Sequence, residues 1–221
     1  MSVTSRQNPP CVVIFEPVRV TLRLGELGLT DGLLRESLNK GLAAHRKCHE
    51  YHPTSYPGIV MWGESVRWLR DGLVRTGDWR CDDTFNLPTV MKIDGSMAIA
   101  VVRGDSNTGN PDLTPSTQYA RGVSTQVRVE VNRVLPFDHL PPQMFEDTPE
   151  RSRISTYLLL HHVKGDQLRC ELSRPVEINK KGYVEEFSER VILGSITLDG
   201  TPMRVSDETP INPVVTVRRR A

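Results

Sequence analysis

Aromatic residues make up only 6% of the 221-residue chain, and none is interleaved with the arginines of its alternating segments. That scarcity excludes an RRM-like platform on which bases stack. An excess of one charge is missing too: 28 Lys+Arg stand against 27 Asp+Glu, so the chain is not a polycation that coats nucleic acid along its whole surface. Any phosphate-binding surface must be a local patch. Long apolar runs are absent as well; the first, 12–15, is cut by Glu16 and Pro17. The sequence therefore predicts neither a signal peptide nor a membrane span. Cysteine is sparse and scattered: Cys11, Cys48, Cys81 and Cys170 form no CxxC pair, which argues against a disulfide framework and for free thiols in a reducing cytoplasm. There is no GxxxxGK[ST] phosphate loop and no internal repeat of fixed period.

What is present is an ordinary globular composition, 38% apolar and 25% charged, which excludes a wholly disordered chain. Residues 1–10 are polar, end in Pro9-Pro10 and read as a flexible tail. Val18, Val20, Leu22 and Leu24 alternate with Arg19, Thr21 and Arg23, the period-two pattern of a half-buried strand. Thr30 or Asp31 can cap a helix that carries Leu34, Leu38, Leu42 and His45 at helical spacing and runs to His52, where Pro53 stops it. A second helix presents Ile59, Trp62, Val66, Leu69 and Leu73 on one stripe, with Gly77 near its end. The pair, spanning 30–76, should pack as an antiparallel hairpin.

After Trp79 the period changes. Segments 89–93 and 96–102 flank Asp94-Gly95, a hairpin signal read as a turn with positive φ at both positions. Residues 104–122 are too rich in Gly, Pro, Ser and Thr for either element and form a long loop. Val127, Val129 and Val131 alternate with Arg128, Glu130 and Asn132 as another half-buried strand, followed by a Pro-rich connection. Further on, 155–163 and 167–172 flank Lys164-Gly165-Asp166, and 191–198 and 203–205 flank Asp199-Gly200. Segment 183–190 fits a helical turn or a polar strand. The fold class predicted is α+β: a helical hairpin on a mostly antiparallel sheet, one domain over 11–205 with a β-rich part at 88–205, and a basic tail at 206–221.

Four groups of residues invite chemistry. His45, Cys48, His49 and His52 would line one side of the first helix, and imidazole and thiolate are the ligands zinc prefers. Such a stripe is about 10 Å long at 1.5 Å per residue, so one ion would need further ligands, with Cys81, His161 and His162 as candidates. The plainer reading packs the stripe against the second helix. GDSNTG, at 104–109, resembles the first block of the GDSL/SGNH esterases, where a Gly-Asp-Ser after a strand presents a nucleophilic serine, here Ser106. That family closes with Asp-x-x-His, whereas this chain has Asp138 and His139 adjacent; without a base to take its proton, Ser106 reads as a loop serine. Glu64, Asp94 and Glu130 would serve a metal-dependent nuclease if they converged on Mg²⁺, but the Lys expected two residues after the strand carboxylate is replaced by Asn132.

The arginines recur most. Arg19, Arg23, Arg128 and Arg169 fall on polar faces of predicted strands, Arg103 and Arg121 border the long loop, and Arg218, Arg219 and Arg220 close the chain. Arg on a rigid face suits bidentate phosphate contacts, and a basic tail adds sequence-independent attraction; salt bridges to Glu130 and Glu171 are the competing use. The sequence therefore predicts a binding or accessory subunit of a cytoplasmic multi-protein assembly acting on nucleic acid, with protein partners and no cofactor, zinc excepted. A metal-dependent hydrolase, foremost a nuclease, is the alternative.

Overall fold

The computed structural model describes residues 10–134, 154–165 and 167–197. The predicted tails, the Pro-rich connection, the hairpin at Asp199-Gly200, Asp138-His139 and Arg218 to Arg220 lie outside the described residues. Its elements are β1 (Val12–Ile14), α1 (Pro17–Glu26), α2 (Asp31–Arg46), α3 (Tyr56–Val74), β2 (Trp79–Asp82), β3 (Thr89–Lys92), β4 (Met97–Arg103), α4 (Val123–Val134), β5 (Ser155–Lys164), β6 (Gln167–Ile178) and β7 (Val184–Thr197). The strands make one sheet in the order β1-β7-β6-β5-β4-β3-β2. Neighbours are antiparallel except β1 with β7 and β4 with β5, which run parallel. The fold is thus α+β on a mostly antiparallel sheet.

Side chains alternate across the sheet, and each face has its own core. Ile99, Val101, Leu159, Leu172 and Val191 pack with α1, α2 and α3 on one face. Ala100, Val102, Leu158, Leu160 and Phe187 pack with Val129 of α4 on the other. Because both faces are covered, β4 is apolar and buried along nearly its whole length.

The helical hairpin forms from α2 and α3. Thr30 caps α2, its Oγ1 accepting from the Leu33 N–H at 3.3 Å, and Leu34, Leu38 and Leu42 are buried. On α3 the buried stripe is Met61, Ser65, Val66, Leu69 and Leu73; the expected members Ile59 and Trp62 are 58% and 40% exposed. The stripe is rotated because Ser65 and Met61 meet Gly41 of α2, where no side chain separates the helices. Gly72, late on α3, touches Leu33, early on α2, so the pair is antiparallel. A Cβ at Gly41 would stand 2.0 Å from Ser65 Oγ and 2.5 Å from the Met61 carbonyl oxygen. Gly41→Ala, which helix propensity alone would favour, should instead destabilise the protein by about 1–3 kcal/mol through overpacking. Chemical denaturation of the variant gives the sign directly.

Two predicted strands are helices. The 18–24 segment is α1: Val20 and Leu24, four residues apart, are buried, while Val18 and Leu22 face out. Pro17 occupies the first turn, where its missing N–H costs nothing. The 127–131 segment belongs to α4, whose inward side among the described side chains is Thr125, Val129 and Asn132, two of the three polar. Asn132 Nδ2 donates to the Thr156 and Pro175 carbonyls at 2.7 and 2.9 Å, and its Oδ1 accepts from the Thr156 N–H at 2.8 Å.

The β3–β4 hairpin forms as expected, with Val90 opposite Ile99 and Met91 opposite Ala98, but its turn differs. Gly95 alone has positive φ, +73°, and its N–H bonds the Lys92 carbonyl at 3.0 Å. This is a type I turn closed by a left-handed glycine rather than a two-residue primed turn. Segment 183–190 is strand, the beginning of β7.

Candidate functional site

The predicted zinc stripe loses its premise because α2 ends at Arg46, six residues short of His52. Only His45 is helical. The chain then turns on itself: the Cys48 N–H bonds the His45 carbonyl, the His49 N–H donates to His52 Nδ1 at 2.9 Å, and the His52 ring stacks on Tyr56 with centroids 4.5 Å apart. Cys81 is exposed on edge strand β2, and His161 and His162, as neighbours on β5, point to opposite faces. Among the described residues no group of three His, Cys, Asp or Glu is arranged to hold an ion. All four cysteines are free.

The nuclease carboxylates are also dispersed. Glu64 pairs with Arg67 on α3, Asp94 sits in the hairpin turn, and Glu130 pairs with Arg133 on α4. Hydrogen bonds from the Ser96 hydroxyl and N–H hold the Asp94 carboxyl below the usual range. Ser106 presents no catalytic pairing among the described residues; its carbonyl accepts from Arg169 at 2.7 Å.

The GDSNTG stretch instead belongs to a latch. Asp105 Oδ1 accepts from the Asn107 N–H at 3.0 Å, and the Thr108 N–H bonds the Asp105 carbonyl at 3.2 Å, so the segment folds over itself. Beneath it, Glu171 of β6 and Arg190 of β7 form a buried ion pair at 2.7 Å, their side chains 0% and 2% exposed. Arg190 also donates to the Leu113 and Asn110 carbonyls at 3.0 and 2.9 Å, while Glu171 accepts from the Gly109 N–H at 2.9 Å. The long loop is thereby fixed to the sheet at both charges.

The arginines do not share one surface. Arg19 and Arg23, expected on a strand face, project from α1. Arg19 faces Glu16 at 3.6 Å, and Arg23 is bound by Glu189 at 2.6 Å and Glu26 at 2.8 Å. Arg128 lies on α4, across the sheet, and pairs with Asp82 at 3.2 Å with both side chains 12% exposed. Arg103 ends β4, half-buried, near His161. Burial drives the His161 pKa down to about 3, with Arg103 and His162 adding to the effect, and neither ring nitrogen has a hydrogen-bond partner among the described residues.

Arg121 differs. It is half-buried, its Nε has no partner, and no acid pairs with it among the described residues. Burial alone holds its guanidinium below the ordinary arginine value. The Arg121 N–H donates to the Gly182 carbonyl at 2.7 Å, which brings the start of α4 against the β6–β7 turn. That turn carries Lys180 and Lys181, both exposed and without an ion pair among the described residues. Asn179 shapes it, Oδ1 accepting from the Lys181 and Tyr183 N–H groups at 2.9 and 3.0 Å. Ser116, Asn179, Lys180, Lys181, Tyr183 and Glu185 line a shallow depression of about 640 Å³.

No protein-family model matches the chain, and neither does a curated protein or a solved structure. The site is therefore read from its own chemistry. The Arg121 backbone meets the β6–β7 turn that carries Lys180 and Lys181, and Glu185 lines the depression beside the lysines. Such a corner can accept an anion on one side, through point charges from two lysines and a planar donor fork from the arginine. Sequence reasoning placed Arg121 at the loop border but missed Lys180 and Lys181. Their signal was the turn sequence Asn179-Lys180-Lys181-Gly182, which becomes informative only once the register of β6 and β7 is known.

No described helix is long and apolar enough to cross a membrane.

Proposed function

We propose that the protein is a binding subunit of a cytoplasmic multi-protein assembly acting on nucleic acid, and that it meets phosphates at the corner formed by Arg121, Lys180 and Lys181. The observation that carries this reading is the uncompensated guanidinium of Arg121. A charge partly withdrawn from water without a carboxylate lacks an interaction that a phosphate oxygen supplies. The two exposed lysines beside it add attraction that needs no base sequence. Of the arginines expected at the interface, Arg19, Arg23 and Arg128 pair with acids.

The test is binding of fluorescent single- and double-stranded DNA and RNA by the full chain across a salt series. Affinity should fall linearly with salt on logarithmic axes. Replacing Arg121, Lys180 and Lys181 together by Ala should weaken binding at least about tenfold and flatten the slope by about one unit per phosphate contact removed. Deleting 218–220 separately measures what the tail adds. Unchanged affinity and slope in the triple variant, or no binding at low salt, would refute the corner as the interface; in the second case the partner is a protein.

A further inference from the structure

We infer that the depression beside the β6–β7 turn takes one unpaired guanine of a single-stranded nucleic acid, an inference that rests on the phosphate-binding reading above and narrows it. Tyr183 is the aromatic residue among those lining the depression. Asn179 clamps its backbone at both groups. The Tyr183 N–H donates to Asn179 Oδ1 at 3.0 Å, and the Asn179 N–H donates to the Tyr183 carbonyl at 2.8 Å. The next residue is fixed as well, since the Val184 N–H donates to Thr117 Oγ1 at 3.3 Å. Tyr183 is thus carried on a turn whose geometry is set before any ligand arrives, and it is half-buried rather than covered. Its ring offers a face on which an unpaired base can stack, whereas the bases of a duplex are already stacked on each other. One ring holds one base, a smaller demand than the multi-base platform that the scarcity of aromatics excludes.

The charges select the base. Lys180, Lys181 and Glu185 all line the depression. The lysines attract phosphate and the carboxylate repels it, so a bound strand is oriented with its phosphates toward the lysines and its base toward Glu185. Asn179 Nδ2 donates to Glu185 Oε1, which steadies the carboxylate at the wall. An ionised carboxylate only accepts hydrogen bonds. Guanine presents N1–H and N2–H side by side on its Watson–Crick edge, two donors that match the two carboxylate oxygens. Uracil presents one N–H between two carbonyl oxygens, which a carboxylate repels. The acid that works against a bare phosphate therefore has a use once a base is part of the ligand.

The experiment measures binding of the full chain at low salt to three fluorescent probes: a short oligouridine with one central guanosine, the same strand without it, and the first strand annealed to its complement. Deoxy counterparts separate RNA from DNA. The guanosine strand should bind at least about fivefold more tightly than either of the others. Tyr183→Leu should weaken that binding at least about fivefold, and Tyr183→Phe, which keeps the stacking face, should recover the loss. Glu185→Ala should tighten the all-uridine strand and erase the preference for guanosine, whereas removing an acid that merely repels phosphate would tighten both strands equally. The strand comparison uses the native chain, so it decides even where a variant fails to fold. Equal affinity for duplex and single strand, no preference for guanosine, or indifference to Tyr183→Leu would each overturn the inference while Arg121, Lys180 and Lys181 still carried salt-dependent binding. Absence of all binding would overturn the inference and the reading beneath it together.

Discussion

His161→Leu should make the protein far less sensitive to acid than the native chain. The unfolded imidazole titrates near its ordinary value of 6.5, while in the fold burial holds the group at about 3. Below pH 6.5 the unfolded state therefore takes up a proton that the folded state refuses. Stability from this group is complete above pH 6.5 and falls steadily as pH drops toward 3, by about 1.4 kcal/mol per pH unit. Between pH 7.5 and pH 4.5 the native protein should lose about 2–3 kcal/mol more than the leucine variant. The variant should also gain at neutral pH, since the imidazole is buried with both nitrogens unpartnered among the described residues. Guanidinium titrations of both proteins at the two pH values make the comparison; parallel pH dependence would show that His161 is not neutral and desolvated in the fold.

The second large effect concerns the buried pair. Glu171→Gln leaves Arg190 charged with almost no access to water, and breaking a buried pair from one side costs about 3–5 kcal/mol. Arg190→Met should cost a comparable amount but carry a different signature. Arg190 holds the Asn110 and Leu113 carbonyls, so its loss frees the loop as well as the charge. Amide exchange across 105–117 should accelerate in Arg190→Met well beyond what the global destabilisation explains. Replacing both residues by apolar ones, Glu171→Leu with Arg190→Met, should recover stability relative to either single variant without restoring loop protection. Loop exchange unchanged in Arg190→Met would mean that the latch is not what orders 104–122.

Much of this architecture is legible in the sequence where one period dominates. Leu34, Leu38 and Leu42 have no competing strand reading, and the runs around Asp94-Gly95 and Lys164-Gly165 have no competing helical one. The two strand assignments that became helices failed for different reasons. Alternating valines and leucines at 18, 20, 22 and 24 also contain an i, i+4 pair, and the sheet uses that pair alone. In α4 the inward face is mostly polar, and Asn132 enters it to bind backbone carbonyls, so an apolar stripe is not there to be found. The buried charges were illegible for another reason. Glu171 and Arg190 become neighbours only because Ser173 stands opposite Arg190 in the β6–β7 register. The basic corner has the same dependence, since Arg121 meets Lys180 and Lys181 only through the backbone bond to Gly182.

Strand β1 lies alongside β7, with Val12 beside Glu189, so the first of the described strands rests on the last. A chain emerging from the ribosome cannot complete that pairing until β7 has been synthesised. Helices α2 and α3 are joined by local contacts and can assemble long before. The apolar Val-Val-Ile segment thus stays unmatched until β7 emerges, and it is the stretch that a nascent-chain chaperone would have reason to hold.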